Sequence, residues 1–373
     1  MPAYCSRLGL RALLFVASLF FFGIGGARAQ ATSAGTAAAP AMHEVTDEVG
    51  RTVRLPVNPT RVISLAPSLT ETIYALHAED RLVGDTLYCD YPADAQKKPK
   101  VGGVINPNFE EIAALHPDLV LMTKGANRLE TVRALDTLGI PSYATNPRTV
   151  DEIISSTQKL ADVLNVPEEG KAVAEDMQRR LEALRLKLSA VPPKRVFFIV
   201  WLEPLQSIGR DTFIADALRK AGAVSIVESN QDWPKVNFVA VAQLQPEYLV
   251  FAPAHADAAG HEYETLANRP GWKILEAVRN RRFVIVSDAI NRPAPRIVSV
   301  IEDLAHQLHP EIFMPEPVRR EMQSKPSAAL RDDVETEAGR TLVLHIGAED
   351  KAGKLPALPR VNSGCIEESP CVR

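Results

Sequence analysis

One segment of this sequence occurs twice. Residues 108–121, Asn-Phe-Glu-Glu-Ile-Ala-Ala-Leu-His-Pro-Asp-Leu-Val-Leu, return 129 positions later as residues 237–250, Asn-Phe-Val-Ala-Val-Ala-Gln-Leu-Gln-Pro-Glu-Tyr-Leu-Val. Asn, Phe, Ala, Leu and Pro coincide, and in both copies a strand-like run follows a helical pattern at the same count. A repeat of this kind marks two related halves. Between the copies, residues 168–190 form a long helical pattern rich in Ala, Leu, Glu, Lys and Arg, preceded by Pro167 and ended by Pro192-Pro193. At 1.5 Å per residue such a helix runs roughly 35 Å, about the width of a small domain. The chain therefore reads as lobe, long helix, lobe.

Within each half, short apolar runs alternate with helical patterns. Strands are expected at 61–66, 81–86, 118–123 and 142–145, with helices at 68–76, 108–115 and 127–138. Ser68 and Glu71 have capping-box spacing, which places the start of the first helix at Ser68. After the long helix the alternation resumes through 195–201, 212–221, 238–244, 248–252, 272–278, 283–286 and 296–308. Strands alternating with helices at these lengths imply α/β lobes with parallel sheets covered on both faces. The domain layout is residues 1–29, a signal peptide; 30–43, a flexible leader; 44–165, an N-terminal lobe; 166–192, an interlobe helix; 193–310, a C-terminal lobe; and 311–373, a charged, proline-rich and mostly disordered tail.

The signal peptide is read from Arg7 and Arg11, the apolar run 12–24 and the small residues of Ala27-Arg28-Ala29. The run is too short to span a bilayer, and no later stretch approaches eighteen apolar residues, so a soluble periplasmic protein is expected. A formal charge of −4 gives no electrostatic case for nucleic acid. Of the cysteines beyond the leader, Cys365 and Cys371 are candidates to pair, leaving Cys89 free. The sequence carries no phosphate loop, nucleophile elbow, His-Glu-x-x-His or Cys-x-x-Cys motif. His255, His261 and Glu262 are the one group with the composition of a zinc site, and a solvated polar loop explains them as well.

In open α/β sheets, ligands bind beyond the carboxyl ends of the strands, so the loops after strands carry the candidate site. Tyr88 is expected exposed there, able to stack on a flat amphipathic ligand, with Tyr91 beside Pro92 packed under the loop. Trp233, with the polar neighbours Gln231, Asp232 and Lys235, is placed at the matching rim of the other lobe, and Trp201 ends a strand nearby. Trp272 reads as structural. Arg292 can point into the cleft, where a guanidinium would hydrogen-bond amide or phosphate oxygens, and a solvated surface charge explains it as well.

These residues, together with Pro67-Ser68-Leu69-Thr70-Glu71, Tyr88-Cys89-Asp90-Tyr91-Pro92, the 108–121 segment, Trp233-Pro234-Lys235-Val236 and Arg292-Pro293-Ala294-Pro295-Arg296, resemble in order the periplasmic cobalamin-binding proteins of ABC importers. That family lies within the helical-backbone class, shared with haem and siderophore binders. The resemblance spans about residues 45–310. It implies two Rossmann-like lobes joined by one rigid helix, and a corrin ring held between them as cargo, with no catalytic cofactor. Tyr88 and Trp233 match ligand-contacting positions, and Gly125, Asn127 and Arg292 lie in matching cleft loops. Val104, Thr123 and Ala289 stand where the best-known member of that family carries Trp. The resemblance also implies a monomer that docks on an ABC permease through one exposed glutamate per lobe. Glu110 matches the first, although a carboxylate in a first helical turn also suits the helix dipole. Glu111 is explained locally, at capping-box spacing from Asn108. Val239 occupies the second docking position. The competing expectations are a haem or ferric-siderophore receptor, a metal-dependent enzyme built on His255, His261 and Glu262, and an interaction protein acting through its tail.

Overall fold

A computed structural model of the chain describes residues 41–252, 266 and 268–314. The expected signal peptide, the group His255, His261 and Glu262, the pairing of Cys365 with Cys371 and the tail from residue 315 onward lie outside the described residues.

The chain opens with an antiparallel hairpin, β1 (Met42–Thr46) and β2 (Thr52–Pro56). Its turn is set by Asp47, whose Oδ1 accepts from the Val49 and Arg51 amides. The first parallel unit then runs β3 (Val62–Ser64), α1 (Pro67–Ala75), β4 (Leu82–Gly84), α2 (Phe109–Ala114), β5 (Leu119–Thr123), α3 (Leu129–Thr137) and β6 (Ser142–Thr145). Two helices follow, α4 (Val150–Val163) and α5 (Pro167–Leu188). The second unit runs β7 (Lys194–Ile199), a short hairpin β8 (Trp201–Leu202) and β9 (Leu205–Gln206), α6 (Phe213–Lys220), β10 (Ala223–Ser225), α7 (Phe238–Leu244), β11 (Tyr248–Phe251), β12 (Phe283–Ile285) and the helix Ile297–Leu308.

The two sheets have one topology. The first is ordered β4-β3-β5-β6 and the second β10-β7-β11-β12, both parallel throughout. Such strands are buried on both faces, which is why β5 reads Leu-Val-Leu-Met-Thr with every residue buried. Successive residues of β7 serve opposite faces. Phe198 joins a core with Val196, Met177 and Leu184, whereas Phe197 joins one with Leu249 and Trp272. Each ring is at most 1% exposed, and burial of such a side chain stabilises by about 1.5–3 kcal/mol.

The repeat is structural. Asn108 and Asn237 both cap their helices, accepting from the amides of Glu110 and Val239 at 3.0 and 2.8 Å. Both helices end on a non-glycine residue of positive φ, His116 (45°) and Gln245 (44°), at equivalent repeat positions. Pro117 and Pro246 then lead into β5 and β11, which occupy the same place in the two sheets.

The connector differs from a single helix. α5 spans 22 residues as expected, but α4 lies against it and is equally part of the junction. Val150, Ile153 and Ile154 at the start of α4 belong to the second lobe's core, while Leu160, Ala161 and Val163 at its end belong to the first lobe's. Gly170 lets the two helices touch, since a Cβ there would sit 2.3 Å from that of Ala161. A two-helix strut that roots in both cores resists bending more than one helix would.

Candidate functional site

The loops at the carboxyl ends of the two sheets meet. Arg148, after β6, grips Asp232 of the second lobe through Nη1 at 2.8 Å and Nη2 at 2.5 Å. From the other direction, Arg292, after β12, donates Nη1 to Glu71 (2.9 Å) and Asp90 (2.6 Å), and Nη2 to Asp90 (3.2 Å) and Asp288 (2.7 Å). Arg296 holds Glu71 as well, with Nε at 2.9 Å and Nη2 at 2.7 Å. The strand ends of both lobes therefore face one another, as the ligand site of such sheets requires.

Glu71 departs from the expected capping box. Pro67 takes the first turn of α1, so the cap is Ala66 with no side-chain bond, and Ser68 is already helical. The Glu71 carboxylate points instead out of the helix into the two guanidinia and is 2% exposed. The second expected box is also left open, because the Asn108 amide donates to the Val101 carbonyl instead of to Glu111. Burial works to lower the Arg292 pKa, but the hydrogen bonds to Asp90 and Glu71 and the field of Asp288 outweigh it and raise it. The hydrogen bond from Arg292 in turn holds the Asp90 carboxyl below its ordinary range.

The loop after β4 carries Tyr88, 62% exposed as expected. It is pinned by Lys100, whose Nζ donates to Asp85 Oδ1 (2.7 Å) and to the carbonyls of Cys89 and Ala95. Burial pushes the Asp85 carboxyl up to about 6, against the opposing pull of Lys100. Cys89 is free and buried, its thiol pushed up by burial, and it contacts the Thr70 and Thr86 hydroxyls at 3.2 Å. Tyr91 differs from expectation: it is 47% exposed, and the Arg296 guanidinium lies 3.9 Å from its ring centroid. The ring is a stacking platform for the cation and not a buried prop.

On the second lobe, next to the Arg148–Asp232 pair, Trp233 is 47% exposed, and Trp201 is 58% exposed. They sit on adjoining segments. Trp201 pairs with Gln206 across the β8–β9 hairpin, Gln206 bridges to Lys235, and the Val236 amide donates to Leu205. Trp201 Nε1 is spent on the Glu203 carbonyl at 2.7 Å, which fixes the indole while leaving its faces open. Gly209 lets the Trp233 loop approach, since a Cβ there would lie 1.9 Å from the Gln231 carbonyl. Trp272 is buried against Phe238, as expected of a structural residue.

Asn127 and Gly125 lie in the loop after β5. The Asn127 side chain accepts from the Thr123 amide and donates to the Leu65 and Val104 carbonyls, so it ties three loops together. Gly125 is exposed with nothing near its Cβ position. Glu110 and Val239 are both exposed at matching helix starts. Among the described residues no group of three or more His, Cys, Asp or Glu side chains is arranged to hold a metal. A groove of about 850 Å³ between α4, α5 and α6 includes Pro193 and Gly222. It lies at the amino ends of β7 and β10, away from the carboxyl ends at which ligands of open α/β sheets bind.

The ion-pair residues Glu71, Asp90, Asp288 and Arg296, and the Arg148–Asp232 pair, were not legible as a site. The available signal was Pro67 ahead of Ser68, which displaces the cap and frees Glu71.

A family model for periplasmic binding proteins matches residues 62–289. The vitamin B12-binding protein of Vibrio cholerae is 31% identical over 251 residues, covering 66% of this chain and 88% of the relative. That of Yersinia pestis is 31% identical over 249 residues, covering 66% of this chain and 86% of the relative. The crystal structure of the periplasmic vitamin B12-binding protein BtuF of Vibrio cholerae aligns at TM-score 0.60 and 30% identity, over 68% of this chain and 98% of that one. The periplasmic haem-binding protein BhuT, solved with two haems, aligns at TM-score 0.60 and 26% identity, over 66% of this chain and 98% of that one. No helix among the described residues is long and apolar enough to cross a membrane. With two equivalent parallel sheets presenting their carboxyl ends to each other, and with these likenesses in sequence and fold, the chain belongs to the periplasmic binding protein family.

Proposed function

We propose that this protein is exported through its N-terminal signal peptide, captures a corrinoid such as cobalamin between its lobes and delivers it to an ABC permease of the inner membrane. The observation that carries the ligand assignment is the set of exposed aromatic rings beside the interlobe ion pairs, Tyr88 in the loop of Asp90 on the first lobe and Trp233 next to Asp232 on the second. Exposed indoles and phenols are costly to leave in water and suit a broad, flat, amphipathic ligand. The likeness to vitamin B12-binding proteins supports a corrinoid as that ligand. Arg292 adds a charged contact at the cleft, and Gly125 and Asn127 shape its floor. The protein acts as a monomer, the corrinoid is cargo and not a cofactor, and no catalytic step is assigned. Glu110 is the permease contact of the first lobe; Val239, 59% exposed, gives the second lobe an apolar contact in place of a charge.

A haem receptor is the second reading, favoured by the likeness to BhuT and by the exposed phenol of Tyr88. Calorimetry on the purified protein with cyanocobalamin, hydroxocobalamin, haemin and ferric siderophores separates the two. Saturable heat with cyanocobalamin is expected. Heat with haemin and none with any corrinoid overturns the assignment.

A further inference from the structure

Arg292 is saturated by carboxylates. Asp90 meets it as a fork, Oδ1 on Nη1 and Oδ2 on Nη2, while Glu71 and Asp288 take one nitrogen each. Glu71 does not depend on Arg292, because Arg296 grips it with two nitrogens of its own. The cluster thus sets three carboxylates against two guanidinia. The three are not equivalent. Glu71 is 2% exposed and Asp288 sits four residues before Arg292 on the same short turn, whereas Asp90 is 57% exposed and is carried by the opposite lobe. It also shares its loop with Tyr88, the exposed ring of that rim.

We propose that Asp90 is an internal stand-in for the ligand, occupying the fork of Arg292 that a monoanionic group with two acceptor oxygens takes on binding. The inference rests on the cleft being the ligand site, and it names the chemistry presented there: a phosphodiester or a carboxylate. A planar guanidinium is matched to both. The exchange leaves the charge around Arg292 unchanged, while Glu71 and Asp288 keep the mostly buried guanidinium paired throughout. Asp90, mostly in water already, loses little when it swings out. Capture and release then cost nearly the same electrostatic free energy, which suits a carrier that must give up its cargo.

Two measurements test this. The first is calorimetric affinity of the native protein, Asp90→Ala and Asp94→Ala. Asp94 is an exposed acid of the same segment, paired only to Lys97. Asp90→Ala is expected to bind cyanocobalamin, through its phosphodiester, about three- to tenfold tighter than native. The Asp94 control is expected to be unchanged. The second uses no ligand: acetate or dimethyl phosphate replaces chloride at constant ionic strength during thermal unfolding. Either anion is expected to raise the melting temperature of Asp90→Ala and to leave native and Asp94→Ala where they were. Absence of that selective rise overturns the proposal, as does equal or weaker ligand binding by Asp90→Ala. If neither protein binds cyanocobalamin, the corrinoid assignment fails by itself. Haemin, with its propionates, then replaces it in the same comparison, and the anion effect still decides the role of Asp90.

Discussion

Glu71→Ala should be among the most damaging single changes in the described structure. Its carboxylate accepts from Arg292 Nη1, Arg296 Nε and Arg296 Nη2 at 2.7–2.9 Å, from a side chain 2% exposed. Removing one partner of a buried pair costs about 3–5 kcal/mol, because the remaining charge stays desolvated. Two features reduce that here. Arg292 keeps Asp90 and Asp288, and Arg296, 24% exposed, keeps water and its stack on Tyr91. The cation–π contact retains about 0.5–1 kcal/mol. A loss of about 2–4 kcal/mol remains, read by urea unfolding of the native protein, Glu71→Ala, Arg296→Met and the double variant. The cycle should give a coupling of about 1.5–3 kcal/mol between Glu71 and Arg296. Ser68→Ala, by contrast, should cost under about 0.5 kcal/mol, since its hydroxyl caps nothing. A Glu71→Ala loss below about 1 kcal/mol, or a coupling near zero, would refute the interlobe role. A Ser68→Ala loss of about 1 kcal/mol would restore the capping box in its place.

Three further outcomes follow from single sites. Asp85 has its folded pKa raised from 3.8 to about 6, so its contribution to stability is fully present below about pH 4 and is lost as pH rises through about 6. The loss reaches at most about 3 kcal/mol, and Asp85→Asn should flatten that part of a stability–pH profile; an unchanged profile would discard the assignment. Gly209→Ala sets a methyl 1.9 Å from the Gln231 carbonyl; it should destabilise by more than about 2 kcal/mol and displace Trp233, seen as a shift in its fluorescence. Trp233→Ala should weaken corrinoid binding by about 1–3 kcal/mol with little change in melting temperature, because the ring is half in water. Unchanged affinity would make that indole a surface residue without a ligand role.

Most of the architecture was legible because it is written in local patterns. The apolar runs of β5 and β11 need no distant partner to be read as strands buried on both faces, and the proline-bounded run of α5 announces its own length. The repeat at Asn108 and Asn237 carries its own capping chemistry, so two equivalent lobes followed from sequence. Helix α4 was not among the expected helices although Val150, Ile153, Ile154, Leu160 and Ala161 lie at helical spacing; that its two ends root in different cores is decided only by the tertiary packing. Exposure of Tyr88 and Trp233 was readable from position after a strand and from polar neighbours, whereas that of Trp201 emerged only with the β8–β9 hairpin.

What sequence alone could not supply is which charges meet. Glu71 and Arg292 are 221 residues apart, Arg148 and Asp232 84 apart. Electrostatic pairing depends on distance in space, and only the docking of the two sheets edge to edge brings these side chains within hydrogen-bond reach. Sequence therefore determined the lobes, the long helix α5 and the exposure of Tyr88 and Trp233. The tertiary structure decided that the lobes are clasped by arginine–carboxylate pairs running in both directions, Arg292 and Arg296 reaching Glu71 and Asp90 one way and Arg148 reaching Asp232 the other, and that Asn127 is spent on holding loops.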